Sequence, residues 1–244
     1  MGQAIIREAE GSKSFRIMAG IDINASALAT AHKFPIFEQI SDFPEKGDVI
    51  IDFSHHTALP SLLEYSISTS TPLVVATTGH TDEELTAMRS ASEKVAIFHS
   101  GNMSIGINLL IELCRKASQT LGEAFDVEVI EKHHNQKLDA PSGTALMIAN
   151  ALSEERDDTE YVYDRHSVRH KRENREIGIH SIRGGTIVGE HEVLFAGNNE
   201  MITLTHTATS REIFASGALK AAAYLASKAT QSGLYNMSDL IAGK

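Results

Sequence analysis

Apolar and polar positions repeat along this chain with two different periods, and the change of period divides it. Up to residue 104, short apolar runs alternate with stretches of helical period. Gln3–Glu10 reads as a helix ended at Gly11, Phe15–Asp22 as a strand and Asp48–Phe53 as a buried strand. Leu59–Ser68 is helical by spacing, and Pro72–Thr77 and Val95–Phe98 are further buried strands. Thr81, followed three residues on by Glu84, has the capping-box pattern of a helix start. Apolar strands alternating with amphipathic helices predict a parallel, doubly wound sheet.

Beyond Asn102 the pattern changes. A helix over Asn108–Leu121 leads to the strand Asp126–Glu131, and a Pro-Ser-Gly-Thr turn opens a helix over Ala145–Leu152. Ile177–Arg183, Glu190–Ala196 and Met201–Thr207 alternate with period two, and Gly197-Asn198-Asn199 reads as a hairpin turn between the last pair. This half predicts an α+β fold with a mostly antiparallel open sheet. Arg211–Ala226 returns to an alanine-rich helix that pattern alone assigns to neither half.

Composition narrows the partners. The chain has 244 residues, room for one large domain or two modest ones, and 42% hydrophobic with 22% charged residues is ordinary for a globular protein. A net charge of -10 argues against nucleic acid or an anionic membrane as partner, though not against a small anion held at a local positive site. The single cysteine, Cys114, excludes an internal disulfide; it lies on a helical apolar stripe, so a buried inert thiol is expected rather than a nucleophile. No signal-peptide pattern and no bilayer-length apolar run are present, which gives a cytoplasmic expectation. The basic run Arg165–Arg175 is expected to be a solvated loop rather than an anion-binding patch.

Residues 131–145 carry the densest chemistry: Glu131-Lys-His-His-Asn-Gln-Lys-Leu-Asp-Ala-Pro-Ser-Gly-Thr-Ala145. His133 and His134 stand at a strand exit, where adjacent side chains point to opposite sides, so one of them faces a given reacting atom. Lys137 adds a fixed positive charge. Ser142-Gly143-Thr144 starts a helix, whose free backbone N–H groups suit a carboxylate or phosphate. An imidazole, an ammonium and an anion cradle within one loop suit a small anionic substrate. A metal is not expected, because the His-Glu-x-x-His spacing of a zinc site is absent. Ser142 also lacks the Gly-x-Ser-x-Gly elbow of a nucleophile. In the first half, Asp22 ends a strand where an acid typically holds the ribose of a dinucleotide. Thr77-Thr78-Gly79 and Gly101-Asn102-Met103 follow strands, at the edge where such sheets bind ligands, although each also reads as ordinary turn chemistry.

The run Glu-x-His-His-x-x-Lys-x-Asp-Ala-Pro-Ser-Gly-Thr-Ala resembles the signature of the dihydrodipicolinate reductases throughout its length. Supporting pieces are Thr77–Gly79, Asn102–Asn108, Val188-Gly-Glu-His191 and Ser210–Phe214. The resemblance implies a Rossmann-like dinucleotide-binding domain over residues 1–104 and a substrate and tetramerisation domain over 105–213. A segment over 214–244 would return to the first domain. It implies a homotetramer, a dicarboxylate substrate, and NADH or NADPH as cofactor. The reaction it implies is reduction of 4-hydroxy-tetrahydrodipicolinate, with loss of water, to tetrahydrodipicolinate on the diaminopimelate route to lysine. By the same resemblance His133 is the proton donor, Lys137 stabilises charge, and His134, Ser142, Gly143 and Thr144 hold substrate. Gly2, Asp22, Thr77, Thr78, Gly79, Gly101, Asn102, Met103, Arg211 and Phe214 fall at cofactor positions, and closure of two domains is expected to expel water. The alternatives are a non-catalytic nucleotide-binding or regulatory relative, and a dehydrogenase acting on a preformed cyclic imine.

At its start this sequence departs from the family. Relatives open with a strand and a glycine-rich loop before the first helix, whereas Met1–Ile6 matches only the end of that loop, with Gly2 as its last glycine. The expectation is a natural product longer by roughly a dozen residues, and weak stability and cofactor binding without them.

Overall fold

The computed structural model describes residues 1–28, 32–167, 169–228 and 231–243. The chain divides into two units, one of residues 1–104 and 212–244, the other of residues 105–211.

The first unit holds α1 (Gly2–Glu10), β1 (Gly20–Ile21), α2 (Ala25–Leu28), β2 (Ile36–Phe37), β3 (Ile50–Asp52), α3 (Leu59–Thr69), β4 (Leu73–Val75), α4 (Asp82–Ser92) and β5 (Ala96–His99). The chain re-enters it as α7 (Glu212–Ser227), β11 (Gly233–Tyr235) and α8 (Met237–Ala242). Strands β11, β5, β4 and β3 form a parallel sheet in that order. Leu73, Val74, Val75, Ile97 and Phe98 have no exposed surface, which is why these strands carry no polar face: both sides are covered. Leu73, Val75 and Ile97 pack with Leu59, Leu62, Leu63 and Met88 of α3 and α4. Helix α7 lies against β3, β4 and β5, and its alanines at 215, 218, 221 and 222 let it approach closely. Gly217 on α7 admits no side chain, since a β-carbon there would stand 1.7 Å from the Met103 carbonyl oxygen. Thr81 caps α4 with the expected capping box to Glu84.

The strand expected over Phe15–Asp22 is reduced to Gly20–Ile21. A strand exists where a neighbour exchanges backbone hydrogen bonds, and among the described residues only this end finds one, in the parallel pair with β2.

The second unit holds α5 (Ile105–Leu121), β6 (Asp126–His133), α6 (Gly143–Ser153), β7 (Glu160–Val162), β8 (Glu176–Arg183), β9 (Gly189–Ala196) and β10 (Met201–Ala208). Its sheet has the order β10-β9-β6-β8-β7. The β9–β10 hairpin closes through Gly197, whose N–H donates to the Glu200 carbonyl. The sheet as a whole is mixed: β10–β9 and β9–β6 are antiparallel, β6–β8 and β8–β7 parallel. Strand β7 lies between the helix expected over Ala145–Leu152 and the basic run, where the sequence pattern gave no strand.

Register explains the inner face of this sheet. Directly opposed residues share a face, so the strands build cross-strand rows. The first row is Ile202, Phe195, Val127 and Ile177; the second is Leu204, Val193, Val129 and Ile179. Helices α5 and α6 cover these rows with Ile107, Leu110, Ile111, Cys114, Ile148 and Leu152. Cys114 has no exposed surface, and burial pushes its thiol up to about 12. The third row is His206, His191, Glu131 and Ser181. Beyond it Arg183 pairs with His133, and Gly189 with Ala208. One face is therefore apolar at one end and polar at the other.

The basic run is the exposed loop expected, with Arg172 half-buried, and ion pairs tie it down. Arg172 donates to Asp126 at 2.6 Å and to Glu128 at 3.1 Å, Arg165 bridges Glu128 and Glu176, and Arg175 pairs with Glu160 and Glu173. Glu128 has room for these partners because Gly178 faces it without a β-carbon. Arg165, Arg172 and Arg175 are thus paired with carboxylates; Val168 lies outside the described residues. No helix among the described residues is long and apolar enough to cross a membrane.

Candidate active site

The polar rows of the second unit concentrate charge where water is excluded. Glu131 has no exposed surface, and hydrogen-bond donors surround its carboxylate. Oε2 accepts from His133 Nδ1 at 2.6 Å and Arg183 Nη1 at 2.8 Å. Oε1 accepts from Arg183 Nη2 at 2.7 Å and the Ser142 backbone N–H at 3.1 Å. Burial alone would raise the pKa of this carboxylate, but the bonds from Arg183, His133, Ser181 and Ser142 outweigh it and hold the group down at about 2. An ionised carboxylate only accepts, so His133 carries a hydrogen on Nδ1 and leaves Nε2 as the atom that exchanges a proton.

Helix α6 begins over these rows. Ser142 caps it, its hydroxyl accepting from the Ala145 N–H at 3.1 Å. The same hydroxyl meets His191 Nε2 at 3.1 Å, and the His191 and His133 rings stand edge-on with centroids 5.2 Å apart. Burial, then the neighbouring His133, lower the His191 pKa to about 4, so His191 is neutral. Gly143 is exposed and a β-carbon on it would meet nothing, so the start of α6 opens onto free space. Thr144 is half-buried in its first turn. Strand β6 ends at His133; His134 follows in the exit turn, its carbonyl accepting from the Lys137 N–H. Lys137 reaches Asp139 at 2.8 Å, and the ammonium lowers the Asp139 pKa.

The structure thus gathers His133, Ser142 and Gly143 around the end of β6, with His134 and Lys137 in the loop that leaves it. Glu131, Arg183 and His191 join them and were not singled out as site residues by sequence. Their signal was present: Val127-x-Val129-x-Glu131-x-His133 and Ile177-x-Ile179-x-Ser181-x-Arg183 keep their period while the inward position turns polar.

In the first unit Thr77–Gly79 and Gly101–Met103 follow β4 and β5 at the carboxyl edge of the parallel sheet, whereas Asp22 follows β1 of the separate two-stranded sheet. Thr77 follows β4, but its hydroxyl is committed to the buried Asp52 at 2.7 Å. Thr78 and Gly79 are exposed, and Gly79 adopts φ +82 with open space where a β-carbon would stand, a backbone that glycine accepts readily. The loop is also tied at its far end. Glu84 accepts from the Thr81 N–H at 2.8 Å and meets His56 Nδ1 at 2.9 Å, while the His80 ring sits buried at an ion-pair distance of 3.5 Å. These bonds hold the Glu84 carboxyl below its ordinary pKa. After β5, the Ser100 hydroxyl donates to the Asn102 carbonyl and Asn102 Oδ1 accepts from the Ser104 N–H, shaping a turn that leaves Gly101 exposed and Met103 buried. Asp22 is exposed just after β1 and accepts from the Asn24 N–H. Gly2 opens α1, Arg211 is exposed, and Phe214 is half-buried on α7. Exposed Thr78, open Gly79 and the acid at Asp22 each have chemistry that suits a dinucleotide: backbone to approach, and a carboxylate for ribose hydroxyls.

Comparison with known proteins matches both units. Residues 1–103 match the family model described as dihydrodipicolinate reductase, N-terminus, and residues 106–241 the one described as its C-terminus. The 4-hydroxy-tetrahydrodipicolinate reductase of Caldanaerobacter subterraneus subsp. tengcongensis is 48% identical over 242 residues, covering 99% of this chain and 94% of that protein. That of Clostridium novyi is 49% identical over 245 residues, covering 100% and 95%. Among solved structures, a dipicolinate-bound dihydrodipicolinate reductase from Paenisporosarcina sp. TG-14 superposes with a TM-score of 0.79 at 26% identity, over 96% of this chain and 92% of the other. A probable dehydrogenase from Thermotoga maritima shares the fold alone, with a TM-score of 0.64 at 8% identity. Two family models that between them span nearly the whole sequence, and relatives near half identity over their full length, place this chain in the dihydrodipicolinate reductase family of NAD(P)H-dependent oxidoreductases.

Proposed function

We propose that this chain reduces 4-hydroxy-tetrahydrodipicolinate to tetrahydrodipicolinate, with release of water, on the diaminopimelate route to lysine. The observation that carries this reading is the His133–Glu131 bond beside the capped start of α6, a proton donor and an anion cradle set by the same carboxylate. One carboxylate of the substrate lies at the start of α6, against Gly143 and Thr144 and beside Ser142, whose own N–H is taken by Glu131, where the helix start favours negative charge. Lys137 and His134 hold the other polar groups, with Lys137 offsetting negative charge on the substrate. Bound NADH or NADPH supplies the hydride. His133 delivers a proton from Nε2 to the substrate, and the leaving hydroxyl departs as water.

For the dinucleotide we assign Thr78, Gly79, Gly101 and Asn102 to the nicotinamide end, with Thr77 and Met103 shaping their loops, and Asp22 to the adenosine ribose. Gly2, Arg211 and Phe214 complete the set carried over from the family resemblance. Residues 1–104 with the terminal segment are then the cofactor unit, and the intervening unit takes substrate. A homotetramer and a cytoplasmic location go with this reading; exposed edge strand β10, with Met201 69% exposed, is a surface that assembly would cover.

His133→Gln tests the assignment. Steady-state turnover should fall by roughly 10² to 10⁴, with KM less affected, because a positioned acid is removed while the cradle remains. Near-normal kcat would remove His133 from the chemistry.

A further inference from the structure

We propose that Glu131 and Arg183 form a positioning pair that sets the proton donor and the substrate cradle together, so that neither can shift without the other. The inference rests on the reading of His133 as the acid and concerns residues that touch neither substrate nor cofactor.

The geometry is two-sided. Oε2 of Glu131 holds His133, Oε1 holds the Ser142 N–H, and the Arg183 guanidinium spans both oxygens. Arg183 is itself fixed from outside the pair, donating to the Asp139 carbonyl at 2.7 Å and the Ile182 carbonyl at 2.8 Å. The Gly184 N–H donates to the His133 carbonyl at 2.9 Å, so β8 grips the strand exit by backbone as well. The carboxylate is hydrogen-bonded to both the donor and the first residue of the cradle. A fork-to-fork arginine pair removes its remaining freedom of rotation.

A purely structural ion pair would not need this arrangement. The two preceding inward positions on β6 and β8 are Val127 and Val129, and Ile177 and Ile179, and apolar residues hold those rows without charge. Placing a carboxylate and a guanidinium in the next rows costs desolvation of both, and an apolar replacement is often no less stable. What the charged pair adds is direction: it fixes the hydrogen of His133 on Nδ1, and it anchors the backbone of Ser142, from which the cradle at the start of α6 is built.

The test is a double-mutant cycle read together with the state of the His133 ring. Glu131→Gln should lower kcat by about 10- to 1000-fold. It should weaken inhibition by pyridine-2,6-dicarboxylate about tenfold, since the start of α6 loses the anchor that holds Ser142 and a cradle bond is misaligned. NADH affinity should be unchanged. In the His133→Gln background the same substitution should leave kcat within about threefold while still weakening the dicarboxylate, because its effect on turnover passes through His133. The nitrogen NMR shifts of His133 should show hydrogen on Nδ1 in the parent protein and a redistributed tautomer in the variant. Glu131→Asp, which keeps the charge for Arg183 but withdraws the carboxylate by one methylene, covers the case in which Glu131→Gln does not fold. It should keep the parent's thermal midpoint within a few degrees, with a lower kcat and an altered His133 tautomer. An equal loss of kcat with and without His133, or an unchanged tautomer in either Glu131 variant, overturns the proposal. Full kcat in His133→Gln alone removes the acid assignment instead, and the tautomer and dicarboxylate readouts then decide the positioning role by themselves.

Discussion

Gly189 faces His133 across the end of the β6–β9 ladder, where a β-carbon on Gly189 would stand 3.1 Å from His133 Nε2. That contact is tighter than side chains ordinarily accept, and the nitrogen concerned is the one from which a proton would leave. Gly189→Ala should therefore displace the ring by a few tenths of an ångström and lower kcat about tenfold, since catalytic groups tolerate little misplacement. The strand itself should fold, because alanine fits extended backbone. Turnover within twofold of the parent, with an unchanged circular-dichroism spectrum, would show that the ring has slack.

Lys137, in the loop that leaves β6, pairs with Asp139 at 2.8 Å, and that partner is largely exposed. An exposed pair contributes little to stability, of the order of 0–1 kcal/mol. Lys137→Ala is thus expected to leave the thermal midpoint nearly unchanged while kcat/KM falls by about 10- to 100-fold, as a cation facing a carboxylate is lost. A lower midpoint with intact kcat/KM would make Lys137 structural.

Stability should fall in acid in two stages, with different groups responsible. His191 has its pKa lowered from 6.5 to about 4 in the fold, so on acidification the unfolded chain takes up the proton first. Its neutral form contributes fully above pH 6.5, and the contribution is lost between 6.5 and 4, up to roughly 3 kcal/mol. Burial lowers His99 and His206 in the same direction. Glu131 is the opposite case: its ionised form is held by its partners, so its contribution is present above 4.5 and lost as pH falls toward 2. Urea midpoints should decline from pH 7 to pH 5, and His191→Gln should flatten that decline. A midpoint constant over this interval in the parent protein would contradict a neutral buried His191.

Cofactor choice should follow Asp22 and its neighbour. The carboxylate can accept from a ribose 2′-hydroxyl and repels a 2′-phosphate, and Ile23, 84% exposed, offers no compensating charge. NADH is expected to serve at least as well as NADPH by kcat/KM, and Ile23→Arg should raise the NADPH value several-fold through a charge-assisted contact. A strong NADPH preference in the parent protein would refute the reading of Asp22.

Much of this was legible in the residues, and the rest was hidden for a physical reason. The Thr81–Glu84 capping box, the strand exit at His133 and the Ser142 helix start are local features, set by contacts a few residues apart, and each is found where spacing puts it. The strand at residues 15–19 and the strand β7 show the converse, since a strand needs a neighbour that no local pattern reveals. Ser142 and His191 are 49 residues apart in sequence and meet only because β9 lies beside β6. The polar inward positions of β6, β8 and β10 could be read one strand at a time. That they form one row, and that Arg172 and Arg165 would be consumed by Glu128, depends on the order and register of the strands.

A change of length inside β6 is closed to this protein in a way that substitution is not. Removing one residue between Val127 and Glu131 would carry Ile130 and Lys132 to the inner face, or send Glu131 and His133 outward, in a single step. The hydrophobic packing and the proton-handling groups would be lost together, so no intermediate sequence keeps half of either. Insertions and deletions in descendants of this chain are therefore expected in connections such as residues 197–200, while the eight positions of β6 vary by replacement alone.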